Sequence, residues 1–212
     1  MTRKEKIRIS LNPSTPSEIL TEFARDENHY VRRRVAANPS TPPEVLAELS
    51  RDGDYTVRQL VAGNTSTSHE VLAKLSRDED YTVRQLVALN PSTPLEVLVQ
   101  LALARDRHGN VRWRVAENLS TPPEILTKLS RDRDRDVRCN VAENLSTPPE
   151  AFAELTRDED CDVRWRVIGN PSTPPDVLLI LTADDDRGVR EAAERALNKR
   201  AMITERHAHS QE

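Results

Sequence analysis

Apolar residues recur along this chain in two alternating signatures. The first is a compact trio at i, i+1 and i+4, as in Val45, Leu46 and Leu49. It returns at Ile19/Leu20/Phe23, Val71/Leu72/Leu75, Val97/Leu98/Leu101, Ile125/Leu126/Leu129, Ala151/Phe152/Leu155 and Val177/Leu178/Leu181. That spacing lines one face of a short helix of roughly two turns. The second signature is Val-Arg-x-x-Val, from Val31/Val35 through Val57/Val61, Val83/Val87, Val111/Val115 and Val137/Val141 to Val163/Val167. Valines at i and i+4 share a helical stripe. The small residue that usually follows (Ala36, Ala62, Ala88, Ala116, Ala142) permits close helix approach. No alternation of period two persists anywhere, so the pattern predicts helices and no strands.

Polar punctuation sets these helices in phase. An Asn opens each unit at Asn12, Asn38, Asn64, Asn90, Asn118, Asn144 and Asn170, in steps of 26, 26, 26, 28, 26 and 26 residues. A fixed period of this size marks stacked supersecondary units. Each first helix carries a start signal. Thr41 reads as an N-cap, Pro42 as the first helical residue and Glu44 as the third member of a capping box. The same threonine–acid spacing occurs at Thr15/Glu18, Thr67/Glu70, Thr93/Glu96, Thr121/Glu124, Thr147/Glu150 and Thr173/Asp176. An Arg-Asp turn follows the first helix, from Arg25-Asp26 to Arg157-Asp158 and including Arg105-Asp106. Asp54, Asp80, Asp134 and Asp160 then stand where they can cap the second helix. The 28-residue unit carries two extra residues near Leu101–Ala104, expected to lengthen its first helix or the exit turn.

The fold expected is therefore an all-α solenoid of about seven 26-residue two-helix repeats. Residues 1–11 form a capping half-repeat, with Ile7, Ile9 and Leu11 covering the open end. Repeats occupy 12–186, a C-terminal capping helix 187–203 and a flexible tail 204–212. Polar terminal units suit a stack whose ends would otherwise be bare.

Composition adds limits. Apolar residues make up 36% of 212 and charged residues 31%, a balance suited to thin repeats with much exposed surface. The net charge of −4 argues against general nucleic-acid binding, which depends on Lys and Arg, although a local basic stripe is compatible with it. Cys139 and Cys161 are the only cysteines, and they match neither a disulfide framework nor a metal pair. Free thiols, no secretory leader and no apolar stretch of membrane-spanning length together predict a cytoplasmic protein. No cofactor or metal is implied, since the histidines are scattered and His207 and His209 lie in the expected tail.

The Asn-Pro-Ser-Thr-Pro-Pro-Glu-Val-Leu … Arg-Asp … Val-Arg-x-x-Val-Ala pattern, over residues about 12–193, resembles the leucine-rich repeat variant family. The resemblance implies a right-handed superhelix of alternating α and 3₁₀ helices without sheet, and a generic binding role. Some members of that family carry a cysteine-rich segment for an iron–sulfur cluster. This chain lacks such cysteines, so the resemblance implies no cluster here.

Internal repeats also separate structural from functional positions. The recurring arginine (Arg32, Arg58, Arg84, Arg112, Arg138, Arg164, Arg190) reads as a ladder to the equally regular aspartates rather than as a phosphate stripe. The next two positions vary: Arg33, Gln59, Gln85, Trp113, Cys139, Trp165, and then Arg34, Leu60, Leu86, Arg114, Asn140, Arg166. One turn earlier stand Tyr55 and Tyr81, beside Gln59 and Gln85 at helical spacing. Trp, Tyr and Arg are the types enriched at binding hot spots. The candidate partner-binding set is thus Arg33, Arg34, Tyr55, Gln59, Tyr81, Gln85, Trp113, Arg114, Trp165 and Arg166. The alternative role for these aromatics is packing between neighbouring helices. The expected function is a non-enzymatic protein-binding scaffold. A nucleic-acid binder that stacks bases on the aromatics is the second reading. A helical-repeat glycosylase using Trp113, Trp165, Asp136 and Asp162 is the third.

Overall fold

The computed structural model describes residues 1–103 and 109–209. Among them every regular element is an α-helix. The first helices of the repeats are α2 (Ser17–Phe23), α4 (Pro43–Leu49), α6 (His69–Leu75), α8 (Leu95–Leu103), α10 (Pro123–Leu129), α12 (Pro149–Leu155) and α14 (Pro175–Leu181). The second helices are α3 (His29–Ala37), α5 (Tyr55–Gly63), α7 (Tyr81–Leu89), α9 (Gly109–Glu117), α11 (Arg135–Glu143), α13 (Cys161–Gly169) and α15 (Arg187–His209). A lone helix, α1 (Arg3–Ser10), precedes them. The chain divides into two compact units, Met1–Asn118 and Leu119–Glu212. Within each unit the second helices pack directly on one another, while successive first helices meet far less. The second-helix layer is thus the tighter side of each stack.

Both apolar signatures point inward as their spacing requires. Val31, Val35, Val57, Val61, Val83 and Val87 are fully buried, as are Leu20, Leu46, Leu72 and Leu98 from the first helices. The alanines after the second valine (Ala36, Ala62, Ala88) are fully buried too, which lets adjacent backbones approach.

The expected alternation of α and 3₁₀ helices is not found among the described residues. The short first helices hold i→i−4 bonds, such as Ser50 N to Leu46 O at 2.9 Å, and tighten to i→i−3 only at their ends, as in Val45 N to Pro42 O at 3.0 Å. The two extra residues of the long unit do lengthen its first helix, since α8 has nine residues where its counterparts have seven. The Arg105-Asp106 turn and His108 lie outside the described residues. Helix α15 continues through His209, past residue 203 where the cap was expected to end.

The capping-box expectation is corrected. Pro42, not Thr41, occupies the N-cap, and it makes no side-chain cap bond. A proline followed by another proline is driven out of the helical region, so Pro42 stays extended (φ −59°, ψ 145°) and the helix opens at Pro43. The Thr41 hydroxyl donates instead to the buried Val35 carbonyl at 2.6 Å. That carbonyl belongs to the last turn of the preceding helix, where intrahelical donors run out. The Thr41 N–H is already used by Asn38 O at 3.1 Å, so Glu44 has no role in the cap. Thr15, Thr67, Thr93, Thr147 and Thr173 make the same backward bond, to Ile9, Val61, Val87, Val141 and Val167. Only where Ser68 replaces the proline does a side chain cap a repeat's first helix, accepting from Val71 N. The acids expected to cap second helices do so: Asp54, Asp80, Asp134 and Asp160 each accept from the backbone two residues on.

The N-terminal cap is a second helix without its first. Lys6 stands at the ladder position, 20 residues before Asp26, and bonds it at 2.6 Å. Ile7 and Ile9 are half-buried as expected, but Leu11 is exposed and Ser10 is buried in its place.

Candidate functional site

Two polar ladders occupy the recurring residues. In the first, Arg32, Arg58, Arg138 and Arg164 each reach forward to the aspartate of the next turn and back to the backbone of their own. Arg32 binds Asp52 through Nε and Nη2 at 2.6 and 2.9 Å, and donates Nη1 to the Asp26 carbonyl at 2.9 Å. Arg58 to Asp78, Arg138 to Asp158 and Arg164 to Asp184 repeat this fork. Bidentate guanidinium–carboxylate geometry is the strong form of such pairs. Burial alone would push the Asp52 and Asp184 carboxyls up; their arginine partners and backbone donors overcome it and hold both below the usual carboxylate range. The ladder assignment therefore stands and the phosphate stripe does not.

The second ladder was not anticipated. The Asn64 amide donates to Ala36 O at 2.8 Å and Asn38 O at 2.9 Å, on either side of the junction at which the preceding repeat begins, while its own oxygen accepts from Ser66 N. Asn38, Asn90 and Asn170 do the same. The available signal was the invariance of an amide where a turn alone would accept Asp or Ser. At the end of the stack Arg200 of α15 takes over, donating to Asn170 O at 3.0 Å and to the Thr173 carbonyl.

The candidate residues lie on the opposite side of the second helices. Counting along each helix, residues one, two, five, six and nine lie on the outward side, because three, seven and eight are buried and four is the ladder arginine; Cys139, at position five of α11, is covered there. Position five leans toward the following repeat, position six toward the preceding one. Thus Arg33 pairs with Asp54 ahead of it at 2.9 Å, and Arg166 pairs with Glu143 behind it. Arg114 stacks over the Trp113 ring at 4.0 Å and bonds Glu117 at 2.6 Å. Arg34 makes no such pair and is exposed. Tyr55 and Trp165 are half exposed, at 51% and 44%, while Tyr81, Gln59, Gln85 and Trp113 are partly covered. The candidate residues therefore share the outward side of the second helices, but Arg33 and Arg166 are engaged between repeats rather than standing open.

In the second unit, Trp165, Arg166, Asp162 and Glu143 line one cleft of about 640 Å³ with Gly169, Asn170 and Pro171. Asp162 is ion-paired with Arg135 there, and so is neighbouring Asp160, at 2.7 Å. Asp160, Cys161 and Asp162 cluster closely enough to hold a metal ion, but the two carboxylates are turned to Arg135. Asp136 is exposed. Burial pushes the Cys139 thiol above its ordinary range, whereas Cys161 is exposed.

The leucine-rich repeat variant family model matches residues 31–54 and 81–106. A solved leucine-rich repeat variant with a novel repetitive structural motif is 32% identical, with a TM-score of 0.65 over 86% of this chain and 72% of that one. The chain belongs to the leucine-rich repeat variant family. Two other solved structures are more distant. One is an engineered protein at 20% identity and TM-score 0.44, covering 91% of this chain and 72% of that one. The other is a designed armadillo repeat protein in complex with the peptide (KR)4, at 15% and 0.33, covering 92% and 90%. No curated protein matches the sequence. Among the described residues no helix is long and apolar enough to cross a membrane.

Proposed function

We propose that this chain is a non-enzymatic scaffold that binds a protein partner along the outward face of its second helices. One observation carries the reading: the recurring polar residues are turned inward to the two ladders, while the exposed aromatics fall at positions that vary between repeats. A stack held by its ladders is free to change its outward positions without losing its fold. Tyr55 and Trp165 then supply large, rigid contact area of the kind found at hot spots.

The third reading draws less support. Asp162 is held by Arg135, and Glu143, the other acid lining the cleft, is held by Arg166, so neither stands free to act as a general base.

The test is capture of partners by the full chain, compared with Tyr55→Ala, Trp165→Ala and the double variant. Glu44→Ala on the first-helix side is the control. The partner retained by wild type and the control should be lost by the double variant, each single change weakening binding by about tenfold or more. Equal capture by the double variant and the control would refute the face assignment.

A further inference from the structure

The outward face of the first unit is divided by charge. Its first two second-layer helices, α1 and α3, carry Arg3, Lys4, Arg8, Arg33 and Arg34 at outward positions and no acid. Glu5, the one acid on α1, is folded back onto the Thr2 N–H at 2.7 Å. Arg33 is balanced by Asp54. Among the described residues the rest form no ion pair. Arg3 and Arg33 flank the exposed Tyr30 ring at 4.6 and 5.2 Å. Arg34 stands at the position where Arg166 finds Glu143 behind it, but the residue behind Arg34 is the exposed Leu11. Arg8, one repeat earlier in the same register, is exposed; it attracts Glu5 at longer range but forms neither an ion pair nor a hydrogen bond.

The next two helices reverse the picture. No outward position on α5 or α7 is charged: they present Tyr55, Gln59, Leu60, Tyr81, Gln85 and Leu86, together with threonines and a glycine. Leu86 packs closely against Gly63, where a Cβ would lie 2.9 Å from Leu86 Cδ1. A strip of amides, phenols and aliphatic groups offers hydrogen bonds and apolar contact without Coulombic selection.

We propose that this face takes an acidic protein segment whose carboxylates lie against Arg3, Arg8 and Arg34 and whose adjoining uncharged residues run over α5 and α7. The inference rests on the scaffold reading and adds the chemistry of the partner. Charge complementarity decides the occupant. Unpaired cations at the rim of a binding face steer and orient an anionic partner. A nucleic acid lying along the same path would meet cations only at one end, whereas its phosphates continue and binding of that kind needs a basic groove that follows the backbone.

The experiment uses the full chain and fluorescence anisotropy. The probes are a labelled peptide with a run of glutamates followed by leucine, tyrosine and serine residues, its reversed-order form, the lysine counterparts and an oligothymidylate of matching length. One glutamate peptide should bind, should outcompete its lysine counterpart and should weaken as salt rises. Arg8→Glu with Arg34→Glu should lower its affinity by about tenfold or more, since attraction becomes repulsion. Arg8→Gln with Arg34→Gln should give an intermediate loss, and it serves if the reversed-charge variant melts early. Tyr55→Ala with Tyr81→Ala should weaken binding while leaving the preference for glutamate over lysine intact. Equal binding of the two charges, or indifference to the Arg8 and Arg34 changes, overturns the proposal. If that binding still depends on the tyrosines, the scaffold reading survives the loss. Failure of both glutamate peptides to bind also overturns the proposal, and tighter, cation-dependent binding of the oligothymidylate overturns both readings.

Discussion

Replacing Asn64 with alanine tests the ladder on which the whole argument depends. The amide makes three bonds: to Ala36 O at 2.8 Å, to Asn38 O at 2.9 Å and from Ser66 N at 2.9 Å. It is buried, with 7% of its surface exposed. Alanine removes all three partners and leaves two carbonyls and one N–H in a poorly hydrated seam. Each net hydrogen bond is worth about 1 kcal/mol, so the loss should be about 2–3 kcal/mol, the carbonyls being cheaper to strand than the N–H. Ser66→Ala is the matched control. Its hydroxyl reaches Pro39 O at 3.0 Å in an exposed setting, so its removal should cost no more than about 0.5 kcal/mol. Urea unfolding measures both changes. Amide hydrogen exchange locates them: a repeat contacts only its neighbours, so protection should fall in α3, α5 and α7 and hold in α1. An Asn64→Ala loss no larger than that of Ser66→Ala would show that water replaces the amide and that the ladder is not structural. Uniform loss of protection across the first unit would refute the nearest-neighbour picture.

Two further outcomes are expected. Asp26 is held below its ordinary range first by the Lys6 ammonium, and Asp52 and Asp184 by their arginines against the opposing effect of burial. Depressed folded values mean that this stability is present above the unfolded carboxylate range near ~4 and is lost as pH falls through the folded values. The urea midpoint should therefore drop between pH 7 and pH 3, and Asp52→Asn should be less stable at pH 7 but lose less on acidification; a midpoint flat across that range would refute the link. Gly169→Ala meets nothing within 4 Å and should stabilise by about 0.5–1 kcal/mol, whereas Gly63→Ala drives Leu86 off its place and should gain nothing until Leu86 is shortened to alanine. Thermal melts of the four chains decide this, and equal gains at both glycines would contradict the packing.

The repeat, the helix pairs and their buried faces were legible because apolar spacing reports directly on which side of a helix is covered. The arginine ladder was legible for a related reason: a cation and an acid recurring in fixed phase need each other. The threonines misled because a capping box is a local signal. Thr41 obeys a longer-range demand, the second acceptor site of the buried Val35 carbonyl six residues back, whose backbone donor is Asn38 N–H at 3.0 Å, and the helix opens after Pro42, one residue beyond the box. The asparagine ladder was hidden by the same limit, since Asn64 reads as a turn residue unless Ala36 and Asn38 are known to lie within reach of its amide.

The candidate surface shows why charge on a repeat protein is not read repeat by repeat. Arg34 and Arg166 occupy the same position on their helices, and nothing within their own repeats distinguishes them as binding groups. The difference lies one repeat back, at the ninth outward position, where Glu143 neutralises Arg166 and Leu11 leaves Arg34 exposed to solvent. Arg33 is governed from the other side, by the helix-capping Asp54 of the repeat ahead. Arg166 at position six thus answers to the preceding repeat and Arg33 at position five to the following one, while Arg114, also at position six, is met by Glu117 of its own helix. Whether an outward cation can meet a partner is therefore decided by its own helix together with the neighbouring repeats. That rule confines the unbalanced cations of the first unit's face to α1 and α3, beside a strip on α5 and α7 that has no charge of its own to offer.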